Sequence, residues 1–220
     1  CEICHNTMRP VPTNETDPIN PLSFYALTKL YQEKAISYYC TQNNVSYCAF
    51  RLQNVYGPGQ SLRNPYTGIL SIFSGLIIRG QQINVFEDGY ESRDFVFVDD
   101  VATVFVEAAL SNTTFHNEIF NVGCGESVSV LDVVHNLAKC YGKVADFVIS
   151  NQWRVGDIRH NFADTNKLKT AMELQEFTKF EEGIEKFCGW VSSQPLPDQN
   201  YEGSIDRLIE RKLLKGKQGD

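Results

Sequence analysis

The sequence has no apolar run of the about 18 residues that a membrane-spanning helix requires. Its longest candidate, 69–78, is interrupted by Ser71, Ser74 and Gly75. The first residues also lack the basic and apolar segments of a signal peptide. We therefore expect neither a membrane partner nor secretion.

A basic excess is also missing. The 220 residues contain 20 Lys and Arg against 27 Asp and Glu, which gives a net charge of -7. This balance argues against a general nucleic-acid binder, because such proteins usually carry a basic surface. With 42% hydrophobic and 12% aromatic residues, the composition is that of a folded protein with one large domain or two small ones.

Cysteines are few and show no regular pairing. Seven is an odd number, and a disulfide framework is not expected in a chain of this length, so we predict reduced thiols and a cytoplasmic protein. Cys1 and Cys4 form a single CxxC pair, which supplies two of the four ligands of a structural zinc site. No metal site is therefore predicted for this chain alone.

A glycine-rich turn that could hold a dinucleotide pyrophosphate is absent, because neither GxGxxG nor GxxGxxG occurs. Gly123-Cys124-Gly125 resembles the start of such a turn, but Val128 stands where the third glycine would be. We assign this segment no phosphate-binding role.

Apolar spacing predicts alternating helices and strands. From Ser23 to Thr41 there is no Gly or Pro, and apolar residues recur at helical intervals. A β-rich run at 45–52 then stops at a loop that starts at Asn54, so we expect a parallel sheet with helices in the first half. Further predicted elements are strands at 83–86, 94–98, 118–122 and 145–150, helices over 66–79, from Asp99 to about 110 and from Ser129 to about 142, a mainly helical remainder, and a frayed tail over 212–220.

Tyr25 and Lys29 form the most chemically suggestive pair. Residues four apart lie on one face of a helix, and an ammonium near a phenol favours the phenolate, which can then exchange protons with a substrate. The same spacing also occurs on ordinary solvated helices, so the pair alone does not decide between a catalytic and a surface role.

Five segments that follow one another in a fixed order favour the catalytic role. They are Asn20-Pro21-Leu22-Ser23-Phe24-Tyr25-Ala26-Leu27-Thr28-Lys29, Arg51-Leu52-Gln53-Asn54-Val55-Tyr56-Gly57-Pro58-Gly59-Gln60, Glu91-Ser92-Arg93-Asp94-Phe95-Val96-Phe97-Val98-Asp99-Asp100-Val101-Ala102, Phe120-Asn121-Val122-Gly123 and Arg154-Val155-Gly156-Asp157-Ile158-Arg159. Together they resemble the extended short-chain dehydrogenase/reductase family, in particular its NAD-dependent nucleotide-sugar epimerases and dehydratases. The segments 61–73 and 86–89 and the leading CxxC pair are similar to those of the dTDP-L-rhamnose 4-epimerases.

The resemblance implies a fold class. It is α/β, the C-terminal part of a Rossmann-type doubly wound parallel sheet with a smaller α+β substrate-binding domain. Residues 1–56 would be the remnant of the NAD-binding domain and would carry the YxxxK helix. Residues 57–220 would form mainly the nucleotide-sugar-binding domain, with about 95–122 packing back on the Rossmann sheet.

The resemblance also implies catalytic and cofactor-binding roles. The tyrosine that matches Tyr25 takes the proton of a sugar hydroxyl while NAD accepts the hydride from the same carbon. Lys29 would hold the nicotinamide ribose and stabilise the phenolate, and Leu52 would contact the cofactor. In a 4-epimerase the 4-keto sugar turns and takes the hydride back on its other face, so NAD is regenerated.

Four further residues match substrate-binding positions of the family. Arg93 and Arg154 would bind the pyrophosphate, which suits a planar guanidinium. Asn54 would contact the phosphates, and Asp157 would accept from the nucleotide ribose. The structural alternatives are an ion pair of Arg93 with Asp94 or Glu91 and a loop cap for Asp157.

The absent glycine-rich turn and the absent Ser or Thr that usually precedes the tyrosine lead us to expect an N-terminally truncated enzyme with little NAD affinity and no turnover alone. A second CxxC pair further upstream would complete a zinc site.

The alternatives to a 4-epimerase are a nucleotide-sugar 4,6-dehydratase or decarboxylase, a catalytically silent binding protein, and half of a split enzyme. The family tends to form homodimers through the YxxxK helix, so a homodimer is expected for the full-length protein.

Overall fold

The computed structural model describes residues 9–63, 68–110, 115–172, 174–196 and 201–216. The helices found there are α1 (Phe24–Gln42), α2 (Ile69–Arg79), α3 (Val98–Leu110), α4 (Val130–Cys140), α5 (Asn166–Ala171), α6 (Phe180–Ser192) and α7 (Tyr201–Glu210). The strands are β1 (Cys48–Leu52), β2 (Asn54–Tyr56), β3 (Ile83–Val85), β4 (Ser92–Arg93), β5 (Phe95–Phe97), β6 (Glu118–Val122), β7 (Val128–Ser129), β8 (Phe147–Ile149), β9 (Trp153–Arg154), β10 (His160–Asn161) and β11 (Leu214–Lys215).

Parallel pairing between strands that are distant in sequence dominates the described residues. β1 pairs with β6, β2 with β5, β3 with β8 and β4 with β10, all parallel. β4 also pairs with β7, and β9 with β11, in antiparallel fashion. Parallel neighbours require crossover connections, and here helices supply them. The predicted α/β fold class is confirmed.

β5 lies between two hydrophobic cores because its side chains alternate in direction. Phe95 and Phe97 belong to the larger core, which α2, α4 and α6 also line. Val96 belongs to the smaller core together with residues of α3, β6 and α5. Asp94 therefore directly precedes a strand that is buried on both faces, and Arg93 is the residue before it.

α1 begins and ends as its sequence predicts. The Ser23 hydroxyl accepts a hydrogen bond from the main-chain N–H of Ala26 at 3.1 Å, which is the bond of an N-cap. At the other end the chain leaves the helix through Asn43 and Asn44, and Asn44 adopts a left-handed conformation (φ 53°). Cys40 is the buried residue of this helix, so α1 lies on the surface of the described structure.

Three expectations differ from the structure. The loop expected from Asn54 begins with strand β2, which is short and pairs with β5. Asp99 is the second residue of α3, not its cap, because the helix starts directly after β5. The tail expected to be frayed contains β11. Residues 217–220 of that tail, and the first two residues of the predicted helix 66–79, lie outside the described residues.

Among the described residues, no helix is both long and apolar enough to cross a membrane.

Candidate functional site

The N-terminal half of α1 presents Tyr25 and Lys29 to solvent. Tyr25 is 71% exposed, and Lys29, also exposed, donates to Gln32 Oε1 at 3.2 Å. The N-cap at Ser23 fixes where the helix starts, and therefore which way these two side chains point. A hydroxyl and an ammonium one helical turn apart are thus available to a ligand on this surface.

Glu33 follows Lys29 by one further turn and fastens this face of α1 to the sheet. Arg51 of β1 donates from Nε to Glu33 Oε2 and from Nη2 to Glu33 Oε1, both at 2.8 Å. This bidentate bond with the Arg51 guanidinium lowers the pKa of Glu33 below its ordinary value. Because Leu52 directly follows Arg51, the same contact sets the distance between α1 and the end of β1.

Asp94 links four segments of the chain. Its carboxylate is fully buried and accepts from the main-chain N–H groups of Cys124 at 2.8 Å, Gly125 at 3.0 Å and Ala163 at 3.2 Å. Its main-chain oxygen accepts from the N–H of Asn54 at 2.9 Å. Burial raises the pKa of Asp94, and the three N–H donors oppose that rise.

Gly123 is required beside this carboxylate, since a Cβ there would lie 2.4 Å from Asp94 Oδ2. The main-chain N–H groups of Cys124 and Gly125 point at Asp94. The segment 123–125 therefore has a structural role, which agrees with the absence of a phosphate-binding role in the sequence interpretation.

The bond of the Asn54 N–H to the Asp94 main-chain oxygen brings Asn54 next to the residue that follows Arg93. Asn54 is the first residue of β2, and Arg93 is the last residue of β4. Arg93 Nη1 donates to the main-chain oxygens of Ser92 at 2.8 Å and Arg159 at 3.1 Å. No ion pair with Asp94 or Glu91 is found for Arg93 in the part of the chain that the structure describes.

Arg154 is the last residue of β9, and Asp157 lies in the loop that directly follows it. Arg154 Nε is 4.0 Å from Asp157 Oδ2, and the Arg154 guanidinium lies 6.0 Å from the centre of the Phe86 ring. The antiparallel partner of β9 is β11, and the Val155 N–H donates to Leu213 O at 2.8 Å. The C-terminal strand therefore helps to shape this loop.

Gly156 brings the loop against the start of α1. It has φ of +84°, which favours glycine, and a Cβ there would lie 3.2 Å from the main-chain oxygen of Leu22. Arg154 and Asp157 are thus next to the segment that leads into Tyr25. Two sequence motifs from opposite ends of the chain meet at this contact.

Two of the predicted residues cannot be placed. Cys1 and Cys4 lie outside the described residues, so the possible half of a zinc site stays a prediction. For the described residues, the carboxylates of Glu87, Asp88 and Glu91 are the group close enough together to hold a metal ion, and Arg159 pairs with two of them.

Comparison with known proteins decides the family. The model of the NAD dependent epimerase/dehydratase family matches residues 5–123, more than half of the chain. The chain belongs to this family. It is 36% identical over 188 residues to a dTDP-L-rhamnose 4-epimerase of Burkholderia thailandensis, a match that covers 86% of this chain and 51% of the relative.

Solved structures of family members have the same fold. A UDP-glucose 4-epimerase of Thermotoga maritima, crystallised with UDP-glucose, aligns with a TM-score of 0.72 and 29% identity over 84% of this chain and 59% of its own. The UDP-glucose 4-epimerase of Thermus thermophilus, a complex with NAD, aligns with a TM-score of 0.74 and 26% identity. This match covers 86% of this chain and 60% of that enzyme's chain. The chain spans only about half to three fifths of the length of these relatives.

The sequence interpretation gave no role to Glu33 or Arg159, and it considered Asp94 only as a possible ion-pair partner of Arg93. Arg51 and Asp94 stand inside the quoted motifs, and Glu33 continues the four-residue spacing of Tyr25 and Lys29. That spacing was a usable signal for Glu33. The partners of Asp94 are main-chain groups far along the chain, and no sequence pattern marks them.

Proposed function

We propose that this chain is the sugar-nucleotide half and the acid/base helix of an NAD-dependent nucleotide-sugar 4-epimerase, acting on a dTDP-L-rhamnose-like or UDP-hexose substrate. The contact of Gly156 with Leu22 carries the proposal, because it brings the loop of Arg154 and Asp157 to the start of the helix of Tyr25 and Lys29. The proposal places a pyrophosphate-binding arginine and a proton-transfer tyrosine on the two sides of this contact.

Proton transfer falls to Tyr25. Its phenolic oxygen would take the proton of the sugar 4-hydroxyl and later return it, and the Lys29 ammonium would stabilise the phenolate between these steps. Both side chains are exposed, as groups that must reach a ligand have to be.

The cofactor that this chemistry requires is NAD, which supplies a hydride acceptor when it is bound. The residues present fit one part of its site. Tyr25 and Lys29 offer a hydroxyl and an ammonium on one face of α1, and Leu52 ends β1 beside that helix. The glycine-rich turn for the pyrophosphate does not occur in this sequence.

The substrate pyrophosphate would bind between Arg93 and Arg154. In this structure Arg93 bonds to main-chain oxygens and Arg154 lies near Asp157 at the edge of ion-pair distance. The two Arg93 bonds use Nη1, so its Nε and Nη2 can donate to phosphate oxygens while Arg159 O still orients the side chain. The Arg154–Asp157 contact is exposed, so exchanging it for phosphate oxygens costs little. Asp157, released from Arg154, would accept from the ribose hydroxyls, and Asn54 would donate to a phosphate oxygen.

Calorimetric titration tests the binding half of this proposal. We expect the 220-residue chain to bind UDP-glucose or dTDP-L-rhamnose, and Arg93→Glu to weaken that binding at least about tenfold. Exposed Lys139 of α4 provides the control, since Lys139→Glu makes the same charge change outside the site. Equal affinities for the Arg93→Glu variant and the unsubstituted chain would remove Arg93 from the site.

Product analysis on the full-length enzyme, loaded with NAD, tests the reaction, because the 220-residue chain lacks the glycine-rich turn. We expect the 4-epimer, and a kcat lowered at least about 100-fold by Tyr25→Phe with unchanged substrate affinity. A 4-keto-6-deoxy product would instead identify a 4,6-dehydratase. Full activity of the Tyr25→Phe variant would contradict the assigned proton transfer.

A further inference from the structure

Arg159 stands two residues beyond Asp157 and bridges two carboxylates. Its Nη2 donates to both oxygens of Asp88, at 3.0 Å and 2.7 Å, and its Nη1 pairs with Glu87. These bonds lower the pKa of Asp88 and raise that of Arg159. The guanidinium is therefore engaged with the turn after β3 and is not directed at a ligand.

The same turn also holds the beginning of the loop. The N–H of Glu87 donates to Gln152 O at 2.7 Å, and the N–H of Asn151 donates back to Glu87 O at 3.1 Å. Glu87 and Asn151 both have positive φ, 47° and 54°, a conformation that few residues other than glycine adopt. The two main-chain hydrogen bonds hold the segment 153–158 at its beginning, and the ion pairs of Arg159 hold it at its end. Both ends are thus fixed to the Glu87–Asp88 turn.

Arg159 reaches the second candidate arginine through its main chain. Its carbonyl oxygen accepts from the N–H of Ser92 at 2.9 Å and from Arg93 Nη1 at 3.1 Å. A displacement of Arg159 would therefore move the main chain that carries Arg154 and Asp157 and remove an acceptor from Arg93.

The acidic side chains at this place have a cation already. Glu87, Asp88 and Glu91 offer ligand atoms within 4.8 Å of one another, the separation of a metal site. Because the Arg159 guanidinium pairs with Glu87 and Asp88, their charge is compensated by the protein itself. We therefore assign Glu87 and Asp88 the role of holding Arg159 in place.

We propose that Arg159 is a positioning residue of the nucleotide-diphosphate site: by clamping the Glu87–Asp88 turn it fixes the loop of Arg154 and Asp157 and orients Arg93. This inference rests on the proposed function, because it takes the nucleotide diphosphate as the ligand of that loop. Arg159 itself does not contact the ligand.

Two substitutions break the clamp from opposite sides. Arg159→Gln removes the guanidinium. Asp88→Asn removes only the charge, because an asparagine oxygen can still accept the bond that Asp88 Oδ1 receives from the N–H of Tyr90 at 3.0 Å. Arg159→Lys keeps the charge and loses the bidentate geometry. Lys139→Gln, on the exposed face of α4, is the control for the loss of one positive charge.

The first readout is the Kd of the 220-residue chain for UDP, measured by calorimetry. We expect Arg159→Gln to raise Kd about tenfold and Asp88→Asn to raise it less, because the pair of Arg159 with Glu87 remains. The double variant should raise Kd no further than Arg159→Gln alone, since that substitution already removes both pairs. Arg159→Lys restores part of the affinity, and Lys139→Gln leaves it unchanged. Additive losses, or affinities equal to that of the unsubstituted chain, would overturn the proposal.

The second readout is amide hydrogen exchange, which needs no ligand. The N–H groups of Val155 and Asp157, bonded to Leu213 O and Arg154 O, should exchange faster in Arg159→Gln, while those of Cys124 and Gly125 at Asp94 keep their rate. Unchanged exchange at Val155 and Asp157 would refute the clamp. If the unsubstituted chain fails to bind UDP, the proposed function is wrong, and exchange still decides whether Arg159 fixes the loop.

Discussion

At the residue scale, Asp94 combines full burial with a complete set of hydrogen-bond donors. A buried carboxylate costs several kcal/mol unless its oxygens are satisfied. Here the N–H groups of Cys124, Gly125 and Ala163 satisfy them. The carboxylate thereby holds two segments, 123–125 and that of Ala163, next to Arg93.

Asp94→Asn should therefore be strongly destabilising, although it changes the volume very little. An asparagine has one acceptor oxygen where the aspartate has two. Its NH₂ group would therefore face main-chain N–H groups whose hydrogen bonds Oδ1 or Oδ2 of Asp94 now accepts. We expect a loss of about 3 kcal/mol in the free energy of unfolding, measured by urea denaturation.

Asp99→Asn is the matched control for this loss, because Asp99 is exposed in the first turn of α3. Its cost should stay within about 0.5 kcal/mol. Equal stability of the Asp94→Asn and Asp99→Asn variants would show that the N–H bonds to Asp94 contribute little.

Local chemistry predicted some residues of the site and missed others for a physical reason. That Tyr25 and Lys29 share one face of a helix was predictable from their spacing, and the Ser23 cap because such a cap bonds three residues ahead; their roles stay a prediction. Arg159 and Asp88 are far apart in sequence. Their pairing depends on how β4 and β10 align, which no local pattern encodes.

At the element scale, α6 packs on β2 and β5 through a glycine. The Tyr56 hydroxyl occupies the place where a side chain at Gly183 would stand, since a Cβ there would lie 2.1 Å from the oxygen and 3.1 Å from the Phe97 ring. Tyr56 is only 2% exposed and has no room to move aside. The close approach of helix and strands therefore requires glycine at this position.

A pair of substitutions in α6 separates packing from helix propensity. Alanine favours a helix over glycine by about 1 kcal/mol, so Gly189→Ala, with no atom within 4 Å of the added Cβ, should stabilise the chain by up to that amount. Gly183→Ala should destabilise it by about 1–3 kcal/mol through overpacking. Thermal denaturation measures both, and a stabilising Gly183→Ala would contradict the tight contact.

Helices were the most predictable elements. α1 and α4 follow from apolar spacing and from the serines at their starts, and the Ser129 side chain forms a capping box with Asp132. β2 and β11 were missed because strands of two or three residues carry almost no periodic signal. Each exists because a distant partner, β5 or β9, offers main-chain bonds.

At the scale of the whole molecule, α1 carries an apolar stripe on the side opposite Cys40. Its members are spaced three, four and seven residues apart, and each is more than half exposed: Phe24, Leu27, Tyr31 and Tyr38. Contiguous exposed apolar surface of this kind favours association. The stripe is consistent with the dimer that was predicted for the full-length protein.

We expect the 220-residue chain to dimerise with rising concentration through this stripe, as followed by sedimentation velocity. Tyr31→Glu combined with Tyr38→Glu should make it monomeric, because charges would face each other across the contact. Tyr39→Glu is the control, since Tyr39 is 63% exposed on α1 but lies outside the stripe. A monomer at every concentration would exclude this surface as the interface.

The bonds around Asp94 also constrain when the chain can fold during its synthesis. Gln53 accepts through Oε1 from Asn161, 108 residues further along, and Ala163 completes the shell of Asp94. At ribosomal speeds of about 5–20 residues per second, Gln53 must wait about 5–20 s for Asn161, and Asp94 about 3–14 s for Ala163. Nascent chains truncated just before residue 161 would lack Asn161 and the Ala163 donor of Asp94, and should be the preferred clients of chaperones.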